Sequence, residues 1–168
     1  KVRHYKIASN DSTAIFYGDF VKMTSAGVVT LDTGTTTLTP IGVFMGCSYT
    51  DPNTKQLTFS QFYPASTVAS DIDAYVLNDP FVEMRMQGDA TLAQTALGNN
   101  AAVVQTAGST SIGRSRNAFD SSTIATTATL PVKLIEFVDG PNSSTGDAFT
   151  DVIVMFNVGH QLLNTTGI

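Results

Sequence analysis

Short stretches of alternating apolar and polar residues, cut by turn residues about every 8–12 positions, run through most of the chain. Leu57-Thr58-Phe59-Ser60-Gln61-Phe62 alternates one for one, as a half-buried strand does. Phe81 to Gln87 has the same period, with Val82, Met84 and Met86 on one face and Glu83, Arg85 and Gln87 on the face that meets water or a partner. Ile41 to Tyr49 predicts a longer strand whose two glycines mark a bend or a close backbone approach. His4–Ala8, Val28–Leu31, Asp73–Asn78 and Ala102–Gln105 are further strand candidates. Ala14–Tyr17 and Phe20–Met23 are either a hairpin turning on Gly18-Asp19 or one long strand with a glycine bulge. Leu130–Val138 and Phe149–Val158 are apolar at nearly every residue, as expected of strands covered on both faces.

One helix is expected near 89–97. Asp89 would cap its start, Leu92, Ala93, Ala96 and Leu97 share a face, and Gly98 supplies a left-handed stop. Two turns need packing to be stable. Thr106 to Thr129 is small and polar and predicts a long surface loop. The fold class is therefore all-β: a single-domain sandwich or barrel, spanning 1–168, of about nine or ten short strands and one short helix. Residues 1–9 form a candidate N-terminal arm, and residues 159–168 a candidate C-terminal tail that stays loose unless a partner orders it.

Composition sharpens this picture. Only 14% of residues are charged, against a usual ~25%, and Glu83 and Glu136 are the sole glutamates. The uncharged polarity comes from Thr and Ser, and β-branched Thr favours pleated surfaces. Such a chain suits a protein that hides surface against other subunits. The net charge of −5 and the scattered cations disfavour phosphate binding, so no nucleic-acid partner is expected. No run approaches the ~20 apolar residues of a membrane span, so no membrane partner is expected either.

Candidates for chemistry are sparse. Cys47 is the one cysteine and sits in an apolar run, where a buried, inert thiol is expected. His4 and His160 are the only imidazoles, lie near opposite ends, and read as surface residues with no nucleophile elbow around them. One Cys and two distant His give no zinc set. Asp71 and Asp73 are two apart and would share a strand face, but they read as turn and edge residues before paired carboxylates. Gly108 to Ser115 has phosphate-loop spacing, yet Arg114 stands where the lysine is needed and no amphipathic helix follows. Neither enzymatic activity nor a cofactor is expected.

Several blocks carry a family resemblance: Tyr5-Lys6-Ile7-Ala8-Ser9, Thr13 to Lys22, Pro40 to Thr50, Gln61-Phe62-Tyr63-Pro64-Ala65-Ser66, and Asn157 to Ile168. Together the chain resembles capsid decoration (cement) proteins of tailed bacteriophages, especially of marine and cyanobacterial phages. The resemblance implies a virion protein on the outer capsid surface, often a homotrimer, that stabilises the shell by bridging major capsid protein subunits. It supplies no catalytic residues. Short terminal segments can add a strand to a neighbour's open edge. On that basis Lys1, Arg3, His4, Tyr5, His160, Leu162, Leu163 and Ile168 are the expected capsid contacts.

Two rival classes stand beside the resemblance, the first another virion role and the second a different class. One is a phage tail, head-fibre or adsorption protein that binds host glycans through Tyr17, Tyr49, Phe62, Tyr63 and Tyr75, though their places within strands favour core packing. The other is a small hydrolase built on Asp71 or Asp73, which requires those carboxylates to share a pocket with a third polar group.

Overall fold

The computed structural model describes residues 1–164 and 166–168. Among them it is all-β, with no α-helix. In chain order the strands are β1 (Val2–Lys6), β2 (Phe20–Met23), β3 (Val29–Leu31), β4 (Gly42–Thr50), β5 (Leu57–Ser60) and β6 (Asp73–Leu77), then β7 (Glu83–Gln87), β8 (Asn100–Ala101), β9 (Val103–Val104), β10 (Ala118–Phe119), β11 (Val132–Phe137) and β12 (Asp151–Phe156).

The strands form antiparallel sheets in a sandwich-like arrangement. A six-stranded sheet runs β1-β6-β4-β2-β3, with β5 paired to the far half of β4 beyond β2. A four-stranded sheet runs β7-β12-β11-β8, and β9 pairs with β10 in a small ribbon. Neighbouring residues of one strand serve two cores, because side chains alternate across a sheet. Phe20 and Val43 face the four-stranded sheet, packing with Met86, Leu134, Val152, Val154 and Phe156. Val21 and Phe44 point the opposite way, to a second core with Val76, and that core is roofed by loop residues Ile7, Ile15, Tyr63 and Ile72.

Two β-bulges set which residues face inward. On β4 the pairing with β6 slips between Phe44 and Gly46. The extra residue changes the alternation, so that Phe44 and Cys47, three apart, enter the same core. Gly46 takes φ +136° there, a conformation that suits glycine. On β11 the register against β12 slips between Leu134 and Glu136. Leu134 and Phe137 are buried as a result, and Ile135 is exposed. This corrects the expectation that β11 and β12 are covered on both faces. Each is covered on one, and β12 alternates regularly with Val152, Val154 and Phe156 inward.

The expected helix is replaced by a single 3-10 turn at Gln94–Ala96. Its backbone groups bond across the molecule, with Gly98 N donating to Leu134 O at 3.0 Å and Leu92 O accepting from Gly146 N at 3.0 Å. The Asp89 carboxylate accepts from Ser121 N (2.8 Å), the first amide of a 3-10 turn at Ser121–Thr123, and not from residues of the expected 89–97 helix. Leu92 and Ala96 are buried while Leu97 is exposed, so the apolar spacing serves the core without helical geometry. Between Tyr17 and Phe20 there is neither a hairpin nor a continuous strand. Gly18 turns with φ +93° and its N–H donates to Phe44 O. The 106–129 region is largely loop, but it buries Phe119 completely.

Candidate functional site

The catalytic candidates are dispersed and already engaged. Asp71 accepts from Thr50 N (3.1 Å) and Thr50 Oγ1 (2.6 Å), and these bonds hold its carboxyl below the usual range. Asp73 pairs instead with Lys6 at 2.8 Å. His4 stands edge-on to Tyr75, with ring centres 4.6 Å apart. Burial pushes the Cys47 thiol up to about 12, so it stays protonated. Gly108 to Ser115 forms a tight turn closed by Gly113 N to Ser109 O (2.7 Å). A cleft of about 390 Å³ holds the buried Asp19, whose carboxyl is raised mainly by desolvation and accepts from Phe16 N (2.8 Å). No second titratable group lines that cleft among the described residues, which leaves acid–base chemistry without a partner. Among the described residues no group of three or more His, Cys, Asp or Glu is placed to hold a metal, and no helix is long and apolar enough to cross a membrane.

The aromatics proposed for glycans sort by burial. Tyr49 and Tyr63 are core residues, Phe62 and Tyr75 are half-buried, and Tyr17 is exposed at an isolated bridge to Arg114.

The expected contact residues divide differently. Residues 2–6 are the edge strand of the chain's own sheet, paired with β6 from Val2↔Leu77 to Lys6↔Asp73. Lys1, Arg3, His4, Leu162, Leu163 and Ile168 lie on the surface. Tyr5 is corrected: its ring packs against the second core and its hydroxyl bonds to Asn78. His160 is also corrected, because it is fully buried beside Phe156. The cause lies in its neighbours. Gly159 turns the chain with φ +83°, and the Gln161 carboxamide grips the Met23 backbone, accepting from its N (2.8 Å) and donating to its O (3.0 Å). Residues 159–163 are therefore docked, with Gln161 N also donating to Pro40 O (2.8 Å). The tail expectation includes Thr165, which lies outside the described residues.

His160 gives the fold a pH dependence. Its Nδ1 accepts from Leu162 N (3.3 Å), which requires the neutral ring, and burial lowers its pKa from 6.5 against a smaller opposing pull from Asp79. The unfolded chain takes up the proton at a higher pH than the folded one. Stability from this group is thus full above pH 6.5 and is lost as pH falls toward the folded value. Thermal melts at pH 7.5 and 5.5 should show a drop of a few degrees in the native chain and a smaller one in His160→Leu. Equal drops would remove this role.

Two surface features remain. The first is the outer half of the six-stranded sheet. The core against the four-stranded sheet includes Val43 and is flanked by Leu77. Beyond them the same sheet face carries His4 and Lys6 on β1, Asp73 and Tyr75 on β6, Ser48 and Thr50 on β4, and Leu57 and Phe59 on β5. The alternation of β5 is the reverse of a normal half-buried strand. Leu57 and Phe59 are 61% and 69% exposed, while Thr58 and Ser60 are partly covered. The outer edges of β1 and β5 bound this half-sheet and have no ladder partner among the described residues.

The second is a groove of about 300 Å³ where the two terminal segments meet, lined by Lys1, Arg3, Asn78, Asp79, Pro80, Phe81 and Leu162. It brings together three of the residues expected from the sequence and adds Phe81.

The class defined so far is an antiparallel, sandwich-like all-β protein with surface features suited to contact. The chain matches no protein-family model, no curated protein and no solved structure.

Proposed function

We propose that this chain is a virion structural protein that binds the outer surface of an icosahedral phage capsid as a homotrimer, bridges major capsid protein subunits, and performs no chemistry. The observation that carries the reading is the inverted strand β5. Two large apolar side chains, Leu57 and Phe59, face outward on a half-sheet over which no second sheet packs among the described residues. Fully burying one such side chain is worth roughly 1.5–3 kcal/mol, so a contact that covers both favours association by a few kcal/mol. The open edges of β1 and β5 offer backbone N–H and C=O groups to a neighbouring strand. In a closed trimer, three modest contacts act at high effective concentration.

The test compares capsids with and without the protein, and with a Leu57→Glu/Phe59→Glu variant, for rupture on heating. Decorated shells should survive to a higher temperature than bare ones. The double variant should remain folded, because both side chains already meet water, and yet bind shells at least tenfold more weakly. Equal durability of decorated and bare shells would sink the reading.

A further inference from the structure

We infer that the groove between the two terminal segments is a docking site for an acidic, apolar-flanked segment of a partner protein, with a carboxylate held by Arg3 and an apolar side chain laid against Phe81 and Leu162. The inference rests on the reading of the chain as a capsid-binding protein and names the partner chemistry for one of its contacts.

Arg3 is held in place for this role. Asn78 is buried at the end of β6, and its backbone N donates to Lys1 O at 3.0 Å. In the amide orientation that satisfies both of its ends, its side chain donates to Lys1 O (3.1 Å) and accepts from Tyr5 Oη (2.9 Å) and Arg3 Nε (3.1 Å). With Nε engaged, the two terminal amino groups of the guanidinium are left for a planar anion. That fork matches a carboxylate in two parallel hydrogen bonds, and the prior fixing of the side chain lowers the ordering cost.

The charges around the groove agree. Lys6, Lys22 and Arg85 each pair with an aspartate, whereas Lys1 and Arg3 have no ion-pair partner among the described residues. The one carboxylate in the groove, Asp79, already accepts from its own turn at Phe81 N (2.9 Å). Two cations against one engaged carboxylate leave a positive local balance in a protein of net charge −5. The rim is apolar: Phe81 is 69% exposed and Leu162 52% exposed. A polyphosphate or nucleic acid would use the cations and leave both apolar side chains wet, so the combination favours a peptide.

The test titrates isotope-labelled protein with the capped peptide Glu-Asp-Phe-Leu-Glu, following backbone amide shifts. Shifts should centre on residues 2–5, 78–81 and 161–163. The neutral peptide Gln-Asn-Phe-Leu-Gln, the peptide Glu-Asp-Ser-Ser-Glu and a ten-residue thymidine oligonucleotide should each bind at least tenfold more weakly. Arg3→Glu should lose the acidic peptide by a similar factor while remaining folded, with a thermal midpoint within a few degrees of the native chain, and Lys55→Glu, a distant surface cation, should not. Equal binding of the neutral peptide, tighter binding of the oligonucleotide, or shifts centred elsewhere would overturn the inference. Co-sedimentation with shells of the accompanying major capsid protein separates it from the broader reading. Shell binding that is unchanged in Arg3→Glu/Phe81→Ser refutes the groove alone. Native chain that ignores shells while binding the peptide refutes the capsid role and supports the groove.

Discussion

Asp32→Ala is expected to cost about 3 kcal/mol, a fall of roughly 6–12 °C in the thermal midpoint for a domain of this size. Asp32 is 1% exposed and follows β3 at the start of a Thr- and Gly-rich loop. One carboxylate oxygen accepts from Gly34 N (3.0 Å) and the other from Thr39 N (2.8 Å). The two bonds fold the loop so that Leu38 enters the core between the sheets. The Gln105 side chain adds a clamp from outside, donating to Asp32 O (3.0 Å) and Gly34 O (2.9 Å). Alanine leaves two backbone donors without acceptors and loosens Leu38. Asp32→Asn keeps one acceptor but turns an NH₂ group toward the other donor, so about half the loss is expected. Lys22 lies 3.9 Å from the carboxylate with its side chain partly in solvent, which makes the ion pair worth ~1 kcal/mol at most. Denaturant melts of Asp32→Ala, Asp32→Asn and Lys22→Ala test the ranking. A Lys22→Ala loss as large as that of Asp32→Ala would show that charge pairing, and not the backbone bonds, holds the loop.

Gly42→Ala should be worse, with a loss of roughly 4 kcal/mol or failure to fold. Gly42 is opposite Val21 at the start of β4, next to the first β4–β6 pair, Val43↔Leu77. A methyl group there would sit 2.3 Å from Leu77 O, 2.8 Å from Val76 Cγ1 and 2.9 Å from Asn78 Cα. Two of those atoms are backbone: Leu77 closes a strand held on both sides, by β1 and by β4, and Asn78 just beyond it is tied to Lys1 O, so neither can retreat without breaking backbone hydrogen bonds. Gly140→Ala is the matched control, since nothing lies within 4 Å of the added methyl. It should stay within about 0.5 kcal/mol of the native chain. Soluble expression followed by thermal melts reads both. A Gly42→Ala protein as stable as the control would mean that β4 and β6 are farther apart than described.

The strands were legible because period-two alternation reports burial directly, and the turn residues at 51–54 and 139–142 marked their ends. What the alternation cannot report is which way a strand faces. Leu57 and Phe59 fit a half-buried strand, but their apolar side is the outer one, because β5 pairs only with the part of β4 that lies beyond the second sheet. The β11 bulge was equally hidden, since Val132 to Phe137 is apolar enough to look buried throughout. The false helix at 89–97 had the right spacing, but its hydrogen bonds go to β11 and to the loop at Gly146. Of the groove, Lys1, Arg3 and Leu162 were found by their terminal position. Phe81 was missed although a signal existed: it shares parity with Glu83, Arg85 and Gln87, the face expected to meet water. His160 was misplaced because nothing local predicts that Gln161 docks on Met23, 138 positions away.

The slip in β4 also separates two design problems. Upstream of it, the strand is committed to both cores and tolerates little change. Downstream, the register restarts, and on one side Ser48 and Thr50 hold Tyr75 and Asp71 while Leu57 and Phe59 of the paired strand meet solvent. Substitutions at Leu57 or Phe59 can therefore retune that outward side while the packed half of the sheet keeps its sequence. A lineage of such proteins would be free to change the chemistry of this outward strand without refolding its interior.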